Sequence, residues 1–243
     1  MKKTGLIIDL ETTGIDPLTD EIIEVGIMEF SFDDEDFTQL PRPSTVYSEL
    51  SEPNAPLNEF IKNLTGLSDV DLKGRSINWE LIRNKLEAAD FVIAHNAEFE
   101  RSFLSNVEEL KSLPQKIWAC SMTQIKWITK GSSSRALKYV AADQGFLNPF
   151  PHRAPFDVIT TFKVIERNLE ELILNALSPV IEIRAIGADF ETKDILKKRG
   201  YHWNASERVW MTNISERQLE AERDFLKRDV YGSRSDKHSE KKI

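Results

Sequence analysis

The sequence predicts an α/β protein with a mixed sheet flanked by helices, followed by a small α+β module. Two strand-like segments, residues 6–9 and 21–30, are joined by a turn containing Pro17 and therefore predict a hairpin. From Asn78 onward, helical and strand-like patterns alternate, which is typical of parallel strands connected by helices. After Pro179 the pattern changes again, which indicates a second unit.

The remaining elements of the first unit follow in chain order. Residues 37–47 contain Pro41 and Pro43, which an edge strand tolerates, so this segment is placed at the edge of the sheet. A loop with a short helix near 57–63 leads to a helix over 79–89 with Asn78 as its N-cap. Further strands are predicted at 91–94 and 117–122. Further helices are predicted at 98–110, 123–129, 135–144 and 157–177.

The second unit has its own strand and helix signals. Alternating residues at 181–185 predict a strand, and a helix over 193–199 ends at Gly200. A hairpin over 201–211 precedes a last helix, which a capping box at residues 215–218 opens. The polar residues after Gly232 show no periodicity. We therefore predict a larger first domain at 1–178, an accessory βαββα module at 179–231 and a disordered tail at 232–243.

Composition narrows the class of protein. The net charge is −8, with the acidic excess in the first 180 residues, which excludes a broad basic face for gripping duplex DNA. An enzyme that holds a few nucleotides of one strand stays compatible with this charge. The single cysteine, Cys120, excludes an intramolecular disulfide and suits a reducing compartment. With no apolar run long enough for a membrane span, we expect a cytoplasmic protein without a membrane partner.

Paired carboxylates follow the first apolar strand. Asp9 and Glu11 alternate with Leu10, so strand geometry points both acids to one side of the sheet. Paired buried anions need neutralisation, and a divalent cation is the usual source. From these residues alone, ordinary turn chemistry at a solvated strand end is an equally good interpretation.

Further acids occur where strand and helix ends meet. Glu100 lies one turn into the helix after residues 91–97, and Asp157 begins a later helix with His152 five residues ahead of it. We expect Asp9, Glu11, Glu100 and Asp157 to converge at one end of the sheet, with His152 on a loop above them. Four carboxylates in one pocket need cations, and oxygen ligands in this number favour Mg²⁺ or Mn²⁺ over zinc.

Three motifs built on these residues resemble the DEDDh subgroup of the DnaQ-like 3′–5′ exonucleases. They are DLETTG at residues 9–14, AHNAEFERSFL at 94–104 and HRAPFD at 152–157, with LTGL at 64–67 also in place. The resemblance covers about residues 4–175 and implies an RNase H-like fold. The implied activity is release of nucleoside 5′-monophosphates from the 3′ end of single-stranded or frayed DNA.

The resemblance also implies roles for individual residues. Asp9, Glu11 and Asp157 hold one of two Mg²⁺ or Mn²⁺ ions, and Asp9 bridges to the second. His152 acts as general base toward the attacking water, with a pKa that neighbouring carboxylates are expected to raise. Thr12 and Thr13 contact the terminal nucleotide, and Asn96 supports the turn before the second-motif helix or contacts substrate.

The chain departs from the family pattern at Glu100, where the family has aspartate. Three alternatives therefore stay open: a DNA exonuclease, an exoribonuclease that trims RNA 3′ ends, and a weakened nucleic-acid-binding adaptor. The expected partner is a nucleic acid with a 3′ end, DNA before RNA, and a DNA polymerase or other replication or repair protein is a further candidate.

The C-terminal module offers a second set of candidate contacts. Lys193, Lys197, Tyr201 and Trp203 combine positive charge with aromatic rings, a composition suited to binding single strands. Packing of the aromatic rings in a small core, with solvated lysines, explains the same residues equally well. His95 is predicted to pack at a strand end and is not assigned to catalysis.

Overall fold

The computed structural model describes residues 1–232 and 234–243. A five-stranded mixed sheet has the order β3-β2-β1-β4-β5. Its strands are β1 (Lys2–Thr12), β2 (Ile22–Asp33), β3 (Arg42–Leu50), β4 (Phe91–Ala94) and β5 (Ile117–Cys120). The first three strands pair antiparallel, whereas β4 and β5 continue the sheet in parallel with β1. The predicted hairpin and the edge position of β3 are confirmed.

Both faces of this sheet are buried, which explains the near-continuous apolar sequence of its central strands. Ile7 points into one core with Phe30 and Ile93. Leu6 and Ile8 point into the opposite core. A sheet covered on both faces needs apolar residues at successive positions, and helices supply the cover.

The helices are α1 (Glu59–Thr65), α2 (Asp69–Leu72), α3 (Trp79–Ala88), α4 (Ala97–Leu104), α5 (Ser121–Gln124), α6 (Leu137–Asp143), α7 (Ala154–Ile165) and α8 (Leu169–Ala176). Helix α7 crosses β1 and β2 on the face that contains Ile7. Helices α3 and α4 cover the other face. Asn78 caps α3 as predicted, because its side-chain oxygen accepts a bond from the Leu81 N–H.

The strand predicted at 117–122 ends at Cys120, and the helix predicted at 123–129 is wrong: α5 ends at Gln124, Ile125 is extended, and a 3₁₀ turn follows at Ile128–Lys130. Two longer predicted helices are also shorter than their periodicity indicates. The segment predicted at 98–110 is α4 followed by a 3₁₀ turn at Glu108–Leu110, and the segment predicted at 157–177 divides into α7 and α8. At each break polar side chains bond backbone carbonyls: Asn106 donates to the Ser102 carbonyl, and Asn168 donates to the Val164 carbonyl. Such local bonds compete with continuation of the helix.

The C-terminal module contains a separate four-stranded sheet in the order β7-β8-β6-β9. Its elements are β6 (Val180–Ala185), α9 (Lys193–Arg199), β7 (His202–Asn204), β8 (Val209–Ser215), α10 (Leu219–Phe225), a π-helix at Leu226–Tyr231, and β9 (Ser239–Lys242). The predicted βαββα order is present. Leu196, Trp210 and Leu226 contribute to its core.

The predicted disorder of the tail is wrong for β9, which pairs antiparallel with β6. All four side chains of β9 are exposed, so the strand has no apolar periodicity to reveal it. Backbone pairing and the ion pair of Arg223 with Glu240, at 2.6 Å, hold it in place.

None of the helices in residues 1–232 and 234–243 has both the length and the hydropathy of a membrane-spanning segment.

Candidate active site

Three carboxylates meet where β1 ends beside the start of α7. Asp9, Glu11 and Asp157 each place one carboxylate oxygen within 4.8 Å of the others. Strand alternation puts Asp9 and Glu11 on one face, and Asp157 lies in the first turn of α7. Glu11 and Asp157 are buried, with 8% and 9% of their surface exposed. The structure thus brings the predicted pair of Asp9 and Glu11 together with Asp157, which lies about 150 positions later in the chain.

Burial raises the pKa of every carboxyl in the cluster, and repulsion from nearby carboxylates adds to this effect. Burial, then Glu11 and Asp157, raise the pKa of Asp9 well above its ordinary value. The pKa of Glu11 is raised to about 8 by burial and by Asp157. Burial raises the pKa of Asp157 to about 6, against the lowering effect of the hydrogen bonds that it accepts. Close anions in a poorly solvated site have these pKa values when no cation neutralises them.

Glu100 lies beside the cluster but outside its closest group. The residue is 3% exposed, and its Oε2 atom has no hydrogen-bond partner among the described residues. Burial raises its pKa to about 8, and its charge in turn raises the pKa of Asp9 and of Glu11. A buried, unpartnered carboxylate oxygen next to three more carboxylates fits a site for hard divalent cations.

His152 lies on the loop before α7 and is exposed. Its backbone is in the left-handed region, with φ 62°, and its N–H donates to Asp157 Oδ2 at 2.8 Å. Asn148 donates to the other oxygen of Asp157 at 2.9 Å. These two bonds orient the Asp157 carboxylate.

The expected rise in the His152 pKa is wrong for this structure. Desolvation of the imidazole lowers the pKa below its ordinary value, and the positive charge of Lys138 lowers it further. The imidazole is therefore mostly neutral at pH 7.

The other predicted site residues have local partners. Thr12 Oγ1 donates to the Gly14 carbonyl, and Thr13 Oγ1 donates to Asp20 at 3.1 Å. Asn96 is exposed at the N-cap of α4, without a side-chain capping bond. These contacts support the turns around the cluster, and the substrate roles of the three residues stay predictions.

His95 is buried at the end of β4 between two partners. Its Nδ1 lies 2.9 Å from Ser121 Oγ, and its Nε2 lies 2.8 Å from the Arg135 carbonyl. Burial lowers its pKa to about 4. These contacts agree with the predicted packing role.

Sequence reasoning missed Glu24, the cross-strand neighbour of Glu11 on β2. Glu24 is 1% exposed, and its carboxylate accepts bonds from Arg153 Nε at 3.1 Å and Nη2 at 2.9 Å. A signal was present, since Glu24 interrupts the apolar run of a central strand opposite a predicted ligand. Its partner, 129 positions away, could not be inferred from that run.

The module presents part of the predicted aromatic surface. Trp203 is 48% exposed, and Lys193 Nζ lies 3.8 Å from the ring centroid of Phe190, which is itself exposed. The structure corrects the expectation for Tyr201, which is 4% exposed and donates its hydroxyl to Glu222 at 3.0 Å. Lys197 lies over the Trp210 ring, 6.0 Å from its centroid.

Comparison with known proteins gives the family. The RNase_T exonuclease family model matches residues 6–165. The chain belongs to this exonuclease family. The match confirms the resemblance to the DnaQ-like 3′–5′ exonucleases, and all the candidate carboxylates and His152 lie inside the matched region.

Relatives of this exonuclease-family chain carry different names. It is 25% identical over 200 residues to the DNA polymerase III PolC-type of Caldanaerobacter subterraneus, covering 81% of this chain but 14% of that protein. It is 28% identical to the DNA polymerase III subunit epsilon of Aquifex aeolicus, covering 70% and 82%. It is 25% identical to the ribonuclease T of Vibrio campbellii, covering 64% and 80%.

A solved structure supports the fold. A full-length 3′-exonuclease superposes with a TM-score of 0.53 at 17% identity, over 70% of this chain and 61% of that one. The likeness confirms the RNase H-like architecture of the five-stranded sheet.

Proposed function

We propose that this exonuclease-family chain removes nucleotides from the 3′ end of single-stranded or frayed DNA and releases nucleoside 5′-monophosphates. The observation that carries the proposal is the cluster of Asp9, Glu11 and Asp157, with oxygens within 4.8 Å of one another. Glu100, buried beside them with an unpartnered oxygen, extends the set to four carboxylates.

The donor set fits Mg²⁺ or Mn²⁺. Asp9, Glu11 and Asp157 would hold one ion, while Asp9 and Glu100 would face a second. When bound, such ions supply positive charge that stabilises the attacking and leaving oxygens of a displacement at phosphorus. The Glu100 side chain is one methylene longer than the family's aspartate. The chain would therefore differ from the family pattern in how this carboxylate approaches the second ion.

His152 is suited to accept a proton at neutral pH. Since its pKa lies below the ordinary value, its imidazole carries a free nitrogen lone pair at pH 7. In the proposed reaction, that nitrogen takes one proton from the attacking water. The water oxygen bonds to the terminal phosphorus, the bond from phosphorus to the 3′ oxygen of the preceding nucleotide breaks, and that oxygen takes a proton from solvent.

The sugar preference is proposed as DNA before RNA. In support, the first relatives carry polymerase III names. The ribonuclease T relatives, matched over 80% of the Vibrio campbellii protein, favour the exoribonuclease as the second candidate. A polymerase or repair-protein partner and a cytoplasmic location belong to the same proposal, as does the division into domains at 1–178 and 179–231.

We further propose that the module contacts the single strand through Lys193, Lys197 and Trp203. The exposed rings of Trp203 and Phe190 offer faces for base stacking, and the two lysines offer charge to the phosphates. Loss of single-strand affinity on deletion of residues 181–243 would support this role, whereas unchanged affinity would favour packing or partner docking.

A 5′-labelled 20-mer, as DNA and as RNA of one sequence, tests the function with Mg²⁺ or Mn²⁺. We expect a ladder that shortens from the 3′ end, faster on DNA, and absent with Asp9→Ala. Faster degradation of the RNA would favour the second candidate, the exoribonuclease, over the DNA exonuclease. Binding without cleavage of either strand by wild type, with either metal, would favour the adaptor.

A further inference from the structure

Glu24 and Arg153 form an ion pair between β2 and the residue just before α7. Arg153 donates from Nε to Oε2 at 3.1 Å and from Nη2 to Oε1 at 2.9 Å. The Ala154 N–H adds a third bond to Oε2 at 3.0 Å. Glu24 is 1% exposed, so the whole carboxylate is surrounded by protein. A planar guanidinium matches a carboxylate through two parallel bonds, which sets orientation as well as distance.

The backbone of β2 closes on the same point of α7. A Cβ atom at Gly26 would lie 2.5 Å from the carbonyl carbon of Ala154 and 2.8 Å from the Pro155 nitrogen. Glu24 and Gly26 are two positions apart and so lie on one face of the strand. The strand therefore holds the start of α7 at two places, one by charge and one by close contact.

The backbone of His152 connects this anchored segment to the cluster. It is joined directly to Arg153, and its own N–H donates to Asp157 Oδ2 at 2.8 Å. Its left-handed backbone, at φ 62°, is unusual for a residue with a Cβ atom and persists when neighbouring contacts enforce it. Arg153 on one side and Asp157 on the other supply those contacts.

The pair also keeps Glu24 from adding an unpaired charge to the cluster. Glu24 is directly opposite Glu11 in the β1–β2 register, and the charges of Glu24 and Arg153 act in opposite directions on the pKa of Glu11. An apolar residue at position 153 would leave the buried Glu24 carboxylate without its cation, which is strongly unfavourable.

We propose that Glu24 and Arg153 are positioning residues that hold His152 and the Asp157 carboxylate in their working arrangement. This inference rests on the proposed function, since it assigns the pair to the same active site. Neither residue needs to touch substrate. Their effect passes through the backbone of residues 152–157.

The test compares Glu24→Gln, Arg153→Lys, Arg153→Met and the Glu24→Gln/Arg153→Met double variant with wild type, below the lowest unfolding temperature. On the labelled DNA 20-mer, we expect Glu24→Gln and Arg153→Met each to lower kcat by roughly 10- to 100-fold while KM stays within about threefold. The double variant should lose little more than either single variant, because one contact is removed in all three. Arg153→Lys should recover part of the loss.

Glu29→Gln is the matched control. Glu29 is on the same strand and pairs with Lys85 of α3 at 2.6 Å, away from the start of α7. We expect this variant to change thermal stability but to keep kcat within about twofold of wild type. An equal loss of kcat in Glu29→Gln and Glu24→Gln would mean that the Glu24–Arg153 pair only stabilises the fold. That result would overturn the proposal.

Two readouts do not need turnover. Amide hydrogen exchange at His152 should be faster in Glu24→Gln, and Mn²⁺ affinity measured by calorimetry should fall about tenfold. If wild type does not degrade nucleic acid, the proposed function fails, and these readouts still decide the positioning role. If wild type is active but Glu24→Gln keeps its kcat, His152 exchange and Mn²⁺ affinity, the positioning role fails alone.

Discussion

Replacing Glu100 with glutamine tests whether this residue is a buried acid of the metal site. Glu100 is 3% exposed, and burial raises its pKa from 4.5 to about 8. A carboxyl with a raised pKa binds its proton more tightly in the folded than in the unfolded protein. In the metal-free protein its contribution to stability is therefore present at low pH and is lost as pH rises toward 8. Glutamine does not titrate, so the free energy of unfolding of Glu100→Gln does not include this pH-dependent loss.

The magnitude follows from the pH interval. Between pH 6 and pH 8 the folded carboxyl holds a proton that the unfolded one has released, at about 1.4 kcal/mol for each pH unit. The free energy of unfolding of wild type should thus fall by about 3 kcal/mol relative to Glu100→Gln between pH 6 and pH 9. The glutamine amide adds a buried donor that costs about 1–3 kcal/mol, and this cost is the same at both pH values.

Urea unfolding in EDTA at pH 6 and pH 9 measures the effect. The control is Glu98→Gln, an exposed residue on the same helix, for which we expect no pH-dependent difference from wild type. Saturating Mn²⁺ at pH 9 should raise the free energy of unfolding of wild type more than that of Glu100→Gln, because a ligand that binds the folded state stabilises it. A difference between Glu100→Gln and wild type that is the same at pH 6 and pH 9 would refute the reasoning.

Three further predictions concern the base, the metal and the module. His152→Ala should lower kcat by about 10²–10⁴-fold while Mn²⁺ still binds, as calorimetry can show, and a loss under threefold would remove His152 as the base. Mn²⁺ affinity should rise between pH 6 and pH 8, by about tenfold per pH unit for each proton displaced, because the pKa of Glu11 is about 8. Affinity independent of pH would contradict the raised pKa. Trp203→Ala and Phe190→Ala should each weaken single-stranded DNA binding by roughly 5- to 100-fold in fluorescence anisotropy. Phe60→Ala, which removes a similarly exposed ring in α1, should leave single-stranded DNA binding unchanged. Equal effects of all three variants would contradict the proposal that the module binds the strand.

Much of the site was predictable because local rules determine it. Strand alternation places Asp9 and Glu11 on one face, and the apolar run before them marks a strand that is buried on both faces. The five-residue spacing from His152 to Asp157 places the histidine just before one helix and the aspartate in the first turn of that helix. These rules act over a few residues, so one sequence is enough to apply them.

The unpredicted features depend on residues that are distant in sequence. The Glu24–Arg153 pair joins positions 129 apart. The lowered pKa of His152 comes from burial of the imidazole and then from the charge of Lys138 in α6. Strand β9 is formed by backbone pairing with β6, and its exposed side chains carry no pattern. Periodicity does not reveal such pairings, because it reports only which face of an element is buried.

The central claim is hydrolysis at the 3′ end by the cluster of Asp9, Glu11 and Asp157. Its most direct test is the product formed from single-stranded DNA with a radiolabelled phosphate before its last nucleotide, in Mn²⁺ or Mg²⁺. We predict labelled nucleoside 5′-monophosphate as the first product of wild type, with a rate at least about 10³-fold lower for Asp9→Ala. Release of label as an oligonucleotide, or equal rates for both proteins, would contradict the account.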